Sequence, residues 1–129
     1  MEQKYIVGDV VMYDNKIMVV KEPRDGSHFD LSCPKEGLVY CFVGVEDIKP
    51  ARLTPEILEK NGWRTQNRWY YYLDVAEGFI SYIGIDFKHK SNKGYLYVEV
   101  DGNNMVEIQY CHELQHFLFG LGINSEMEV

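Results

Sequence analysis

Leu53-Thr54-Pro55-Glu56-Ile57-Leu58-Glu59-Lys60-Asn61-Gly62 is the stretch on which the reading of this chain turns. Thr54 is a strong N-cap residue. Pro55 suits the first helical position, where its missing N–H would have had no partner anyway. Glu56 falls in the first turn, where the helix dipole favours an anion, and Gly62 follows the end. The pattern predicts a helix over 54–61. Sequence on both sides alternates apolar and polar residues as strands do, so this helix and Pro50 before it mark a boundary at residues 50–54 between two β-rich lobes.

Upstream, Val10 to Tyr13 and Ile17 to Val20 are apolar runs separated by Asp14, Asn15 and Lys16, which reads as a hairpin. A third strand is expected over Leu38 to Val43, with Gly44 to Pro50 as a closing turn. Downstream, strands are expected over Trp69 to Leu73, Phe79 to Phe87, Tyr95 to Val100 and Val106 to Tyr110. Leu96, Val98 and Val100 share a face with Val106, Ile108 and Tyr110 only if the loop between them is odd in length, such as Asp101-Gly102-Asn103 or a longer loop through Met105. A two-residue Asp-Gly turn would break that match. The other face then carries Tyr95, Tyr97, Glu99, Glu107 and Gln109. Trp63 and Trp69 are both expected at the junction of the helix and this sheet.

The 129 residues carry 13 Lys and Arg against 20 Asp and Glu, a net charge of −7, which is the wrong sign for a protein that neutralises many phosphates. No run nears the roughly 18 consecutive apolar residues of a membrane span, and the first residues lack the build of a signal peptide. Cys33, Cys41 and Cys111 are odd in number and form no C-x-x-C pair, so reduced thiols in the cytoplasm are the expectation. His28 with Cys33 and Cys41 lacks zinc spacing. Lys88-His89-Lys90-Ser91-Asn92-Lys93 is a short basic loop that reads first as a solvated turn.

Leu114, Phe117, Leu118 and Leu121 recur at i, i+3, i+4 and i+7, predicting a second helix over Cys111 to Leu121, stopped by Gly120 and Gly122 and followed by a frayed acidic tail from Asn124 to Val129. This helix contains His112-Glu113-Leu114-Gln115-His116, a literal H-E-x-x-H. In that motif two His one turn apart bind zinc and the Glu activates a water. A working site also needs a third ligand. The longer H-E-x-x-H-x-x-G-x-x-H pattern fails here, because Phe119 stands where Gly belongs and no His follows. At about 100° per residue, both His project away from the Leu114/Phe117/Leu118/Leu121 stripe, so the motif reads as an ordinary polar face.

Three blocks carry a resemblance: Gly8-Asp9-Val10-Val11-Met12-Tyr13-Asp14-Asn15-Lys16-Ile17-Met18-Val19-Val20; Leu53 to Trp63 followed by Trp69-Tyr70-Tyr71-Tyr72; and Tyr110-Cys111-His112-Glu113-Leu114-Gln115-His116-Phe117-Leu118-Phe119. Together they are similar to a group of small uncharacterised bacterial proteins found in gut bacteria, often among phage and mobile-element genes. In that group the position of His116 is often Asn, which implies that His112, Leu114 and Gln115 recur without a second zinc ligand. The opening also resembles the strand-turn-strand start of SH3-like barrels.

The expected fold is therefore α+β: an SH3-like β-barrel over residues 1–52, then an antiparallel sheet flanked by two helices over residues 53–129. The expected function is a non-enzymatic interaction module, of phage or mobile-element origin as the resemblance implies, that binds a protein partner through Tyr95, Tyr97 and Phe119, without cofactor, nucleic acid or membrane. The alternatives are a minimal zinc metalloprotease using Glu113 with His112 and His116, and a small-ligand or nucleic-acid binder acting through the barrel.

Overall fold

The computed structural model describes residues 5–75 and 78–129. Among the described residues it is mostly antiparallel sheet with two α-helices and a short 3-10 helix at Val45–Asp47, and the chain forms two compact units: residues 1–52 with 110–129, and residues 53–109.

In the first unit, β1 (Val10–Tyr13), β2 (Lys16–Asp25), β3 (His28–Cys33), β4 (Leu38–Gly44) and β5 (Lys49–Pro50) form one sheet in the order β4-β3-β2-β1-β5. The β1–β2 turn is the two-residue Asp14-Asn15. Both residues have positive φ, as the turn that matches strand twist requires. Tyr5, Val11, Met18, Val20, Phe29, Leu31, Cys33, Val43 and Ile48 make the core of this unit.

The SH3-like barrel expected for residues 1–52 is not formed. The sheet stays open, with β4 and β5 as its two edges. Closure would need those edges to pair. The last strand, however, has only two residues, paired with Met12 and Val11 on one edge, and with one of them a proline lacking an N–H it is too short to build a ladder on its other edge.

The expected division at 52/53 is also incomplete, because α2 (Cys111–Gly120) belongs to the first unit. It contacts β1, and Val10 is as buried as its neighbour Val11, although they point to opposite faces of one strand. Two apolar residues in succession here mark a strand covered on both sides. The tail does not fray as expected: Met127 is buried, and the Ser125 carbonyl accepts a hydrogen bond from Gln115 Nε2.

The second unit opens with α1 (Pro55–Lys60), capped by Thr54 Oγ1, which accepts from the Ile57 N–H; Asn61 Nδ2 donates to the Ile57 carbonyl at the other end. Its sheet runs β10-β9-β8-β7-β6, comprising β6 (Arg64–Thr65), β7 (Tyr70–Asp74), β8 (Tyr82–Asp86), β9 (Leu96–Val100) and β10 (Asn103–Ile108). The strand expected from Phe79 begins only at Tyr82, and Phe79 is fully exposed in the preceding turn. Trp63 is buried. Trp69 is only half-buried, unlike the expectation for it.

The β9–β10 connection is the two-residue Asp101-Gly102 turn, not the odd-length loop expected from matching the apolar faces. Asn103 pairs with Val100 and Asn104 with Glu99. One extra residue, Met105, then bulges out, so that Val106 meets Val98 and Ile108 meets Leu96. The favoured turn and the matched apolar faces are both kept, at the cost of an exposed methionine.

Candidate functional site

The polar flank of α2 in the first unit collects most of the residues singled out from sequence. Tyr110 precedes the helix and is a poor N-cap by residue type. Glu113 makes up for this: its Oε1 accepts the Tyr110 N–H at 3.0 Å. The carboxylate that a zincin would aim at a metal-bound water is therefore turned back onto the start of its own helix.

The buried residues of α2 are Cys111, Leu114, Gln115 and Leu118. The expected stripe included Phe117 and Leu121 instead, so the true buried face is rotated by about 60° toward the two His. Gln115 causes the rotation. Its Oε1 accepts the Val10 N–H at 2.8 Å, and its Nε2 donates to the Gly8 carbonyl at 2.7 Å and the Ser125 carbonyl at 3.1 Å. A buried amide is tolerated because all three bonds are made.

His116 lies beside it, half-buried, with Nε2 at 2.9 Å from both carboxylate oxygens of Asp9. Asp9 is 1% exposed and also accepts the Ile6 N–H at 2.9 Å. A turn at Gly8, whose φ of 94° suits glycine, delivers Asp9 to this position. His112 stacks on Tyr110, with ring centroids 6.0 Å apart, and meets Tyr5 and His116 edge-on at 5.4 and 5.6 Å. Burial, then the Asp9 charge, push the Tyr5 hydroxyl above its ordinary pKa. Burial alone pushes the Cys111 thiol up to about 12.

A groove of about 400 Å³ opens over this flank, with Asp9, Gln115 and His116 on its floor and Ile6, Val7, Phe119, Glu126 and Met127 among its walls. Ile6, Val7 and Phe119 are exposed at 46%, 62% and 68%.

Of the expected binding residues, Phe119 is on this groove. Tyr95 and Tyr97 belong to the second unit and are half-buried there, so neither unit gathers the three. His112 and His116 are neighbours, but among the described residues no three His, Cys, Asp or Glu side chains form a metal-holding group. With Glu113 at the helix cap and His116 on Asp9, the donors do not fit a catalytic zinc. Asp9 was not singled out from sequence. The available signal is an acid placed directly between Gly8 and an apolar pair, a position that needs a partner if buried.

No protein-family model, curated protein or solved structure matches the chain. No helix among the described residues is long and apolar enough to cross a membrane.

Proposed function

We propose that this chain is a non-enzymatic binding module whose contact site is the groove over Asp9 and His116, and that it takes an extended peptide with apolar side chains and a basic group. The observation that carries this reading is the ring of three exposed apolar side chains, Ile6, Val7 and Phe119, around one concave, polar-floored site. The preference for a basic group follows from charge. The unit that bears the groove has seven Lys and Arg against twelve Asp and Glu, and Glu126 is part of the wall. A protein partner agrees with the reading from sequence; Tyr95 and Tyr97 are not part of this site.

The test is selection from a displayed random-peptide library on the full chain, followed by binding to Val7→Asp and Phe119→Asp. Selected peptides should share apolar and Lys or Arg positions. They should bind each variant at least about tenfold more weakly, with the melting temperature unchanged, because both side chains are on the surface. Undiminished binding to both variants sinks the reading. Cleavage of the same peptides that stops with chelator would establish the metalloprotease instead.

A further inference from the structure

The second unit carries a charge feature that whole-chain arithmetic hides. Its loop from Phe87 to Tyr95, between β8 and β9, holds Lys88, Lys90 and Lys93, half of that unit's six Lys and Arg. None of the three makes an ion pair among the described residues, whereas Lys16, Arg24 and Arg64 each have a carboxylate partner. The nearest acid in sequence is Asp86, and it is already engaged. It accepts the Lys88 and His89 N–H groups at 2.8 and 2.9 Å and holds the His89 ring at 2.9 Å. Burial would raise its pKa, but these bonds outweigh burial and keep the carboxyl below its ordinary value.

The loop is built rather than loose. Ser91 Oγ accepts the Lys93 and Tyr95 N–H groups, the Ser91 N–H donates to the Tyr95 carbonyl, and the Phe87 N–H donates to the Trp69 carbonyl. That last bond brings Trp69 to the start of the loop, beside Lys88. The Lys88 ammonium lies 5.2 Å from the indole centroid, and the His89 ring meets it edge-on at 5.3 Å. Trp69 is half-buried, and Tyr95 at the end of the loop is half-buried as well. One ammonium seated at a partly exposed indole, with two further lysines free of ion pairs in the same loop, is the chemistry that holds single-stranded nucleic acid, in which phosphates meet cations and unstacked bases meet π faces.

We infer that the Lys88–Lys93 loop with Trp69 is a docking surface for single-stranded nucleic acid, separate from the groove of the first unit. The net charge of −7 argues against tracking along a duplex, which needs many contacts. It does not abolish a patch of three cations, because charges more than about 10 Å away are screened at 0.1 M salt. Single strands also suit the patch better than duplex, whose bases are not free to stack on Trp69.

The experiment is titration of the full chain with oligothymidylate of about 12 nucleotides, read by tryptophan fluorescence. Trp69→Phe assigns the signal, since the other indole, Trp63, is buried. The expected result is saturable quenching that is lost in Trp69→Phe and weakens with salt at a log–log slope of about −2, the value for three phosphate contacts on a single strand. Lys88→Gln/Lys90→Gln/Lys93→Gln should lower affinity at least about tenfold without changing the melting temperature, and Lys35→Gln/Lys49→Gln in the first unit should leave it unchanged. No saturable quenching at low salt overturns the proposal. So does equal affinity for duplex of the same length, or equal affinity for polyglutamate, which would make the loop a docking site for acidic proteins.

Discussion

Replacing Gln115 by Leu would leave the buried Val10 N–H and the half-buried Gly8 carbonyl without their partner. The expected loss is about 2–6 kcal/mol, since each stranded group costs about 1–3 kcal/mol, measured by denaturant unfolding. Gly84 on β8 sets a similar constraint by shape. A Cβ there would come within 2.0 Å of the Tyr70 hydroxyl oxygen, so the ring lies across the strand only because residue 84 has no side chain. That hydroxyl donates to Glu99 at 2.9 Å. Gly84→Ala should cost about 1–3 kcal/mol, and the cost should shrink when Tyr70→Ala is added, a non-additivity that a double-mutant cycle reads directly.

Two further outcomes at this scale rest on ionisation. Arg24 and the Phe42 N–H hold the Asp30 carboxyl below its ordinary pKa, and the Ser27 N–H, with His28, holds Asp25 at about 2. A carboxyl depressed in the folded state stabilises the fold above its unfolded pKa near 3.9, and that contribution fades as pH falls through the folded value. Stability should therefore drop between about pH 4 and 2. Asp30→Asn should be less stable at neutral pH and show a shallower drop over the same window, both read by denaturant melts. Thiol labelling at pH 8 gives the other outcome. Cys41 is exposed and should react quickly in the native protein, while Cys33 and Cys111 react only after unfolding, Cys111 being both buried and held protonated.

Among the elements, the β9–β10 hairpin shows how a legible signal can still mislead. Asp101-Gly102 is the favoured turn dipeptide, and the apolar faces of the two strands do match, but those facts agree only through the extra residue Met105. Deleting Met105 should leave a regular hairpin with Val106 still opposite Val98, lowering the melting temperature by only a few degrees. Deleting Glu107 instead turns Ile108 off the core face and should unfold the unit; comparing the two melts is the check. The helix α1 was legible because its signals are local: Thr54, Pro55 and Gly62 act within one or two turns. The face of α2 was misread because Gln115 looks polar in any pattern, while its partner Val10 lies 105 residues away. Asp9 stayed hidden for the same reason, its imidazole being supplied from 107 residues further along. The barrel failed on a local fact with a distant effect, the two-residue strand ending in Pro50.

At the scale of the whole molecule, the second unit is inserted into the first, which leaves at residue 52 and resumes at residue 110. Removing residues 110–129 should thus damage the N-terminal sheet rather than the sheet that directly precedes the cut. The Cys111 N–H donates to the Ala51 carbonyl, and Gln115 caps the start of β1. Amide hydrogen exchange on the truncated chain should show protection lost at Val10 and its neighbours and retained at Ile83, Ile85 and Val98. The nesting also sets a timetable. On the ribosome, the residues that finish the first unit emerge only after the whole second unit, a delay of several seconds at about 5–20 residues per second. In that interval β1 waits with one face bare, and the last helix of a neighbouring nascent chain would fit it as well as its own. Slower synthesis should therefore raise the share of exchanged dimers recovered by size exclusion, and faster synthesis should lower it.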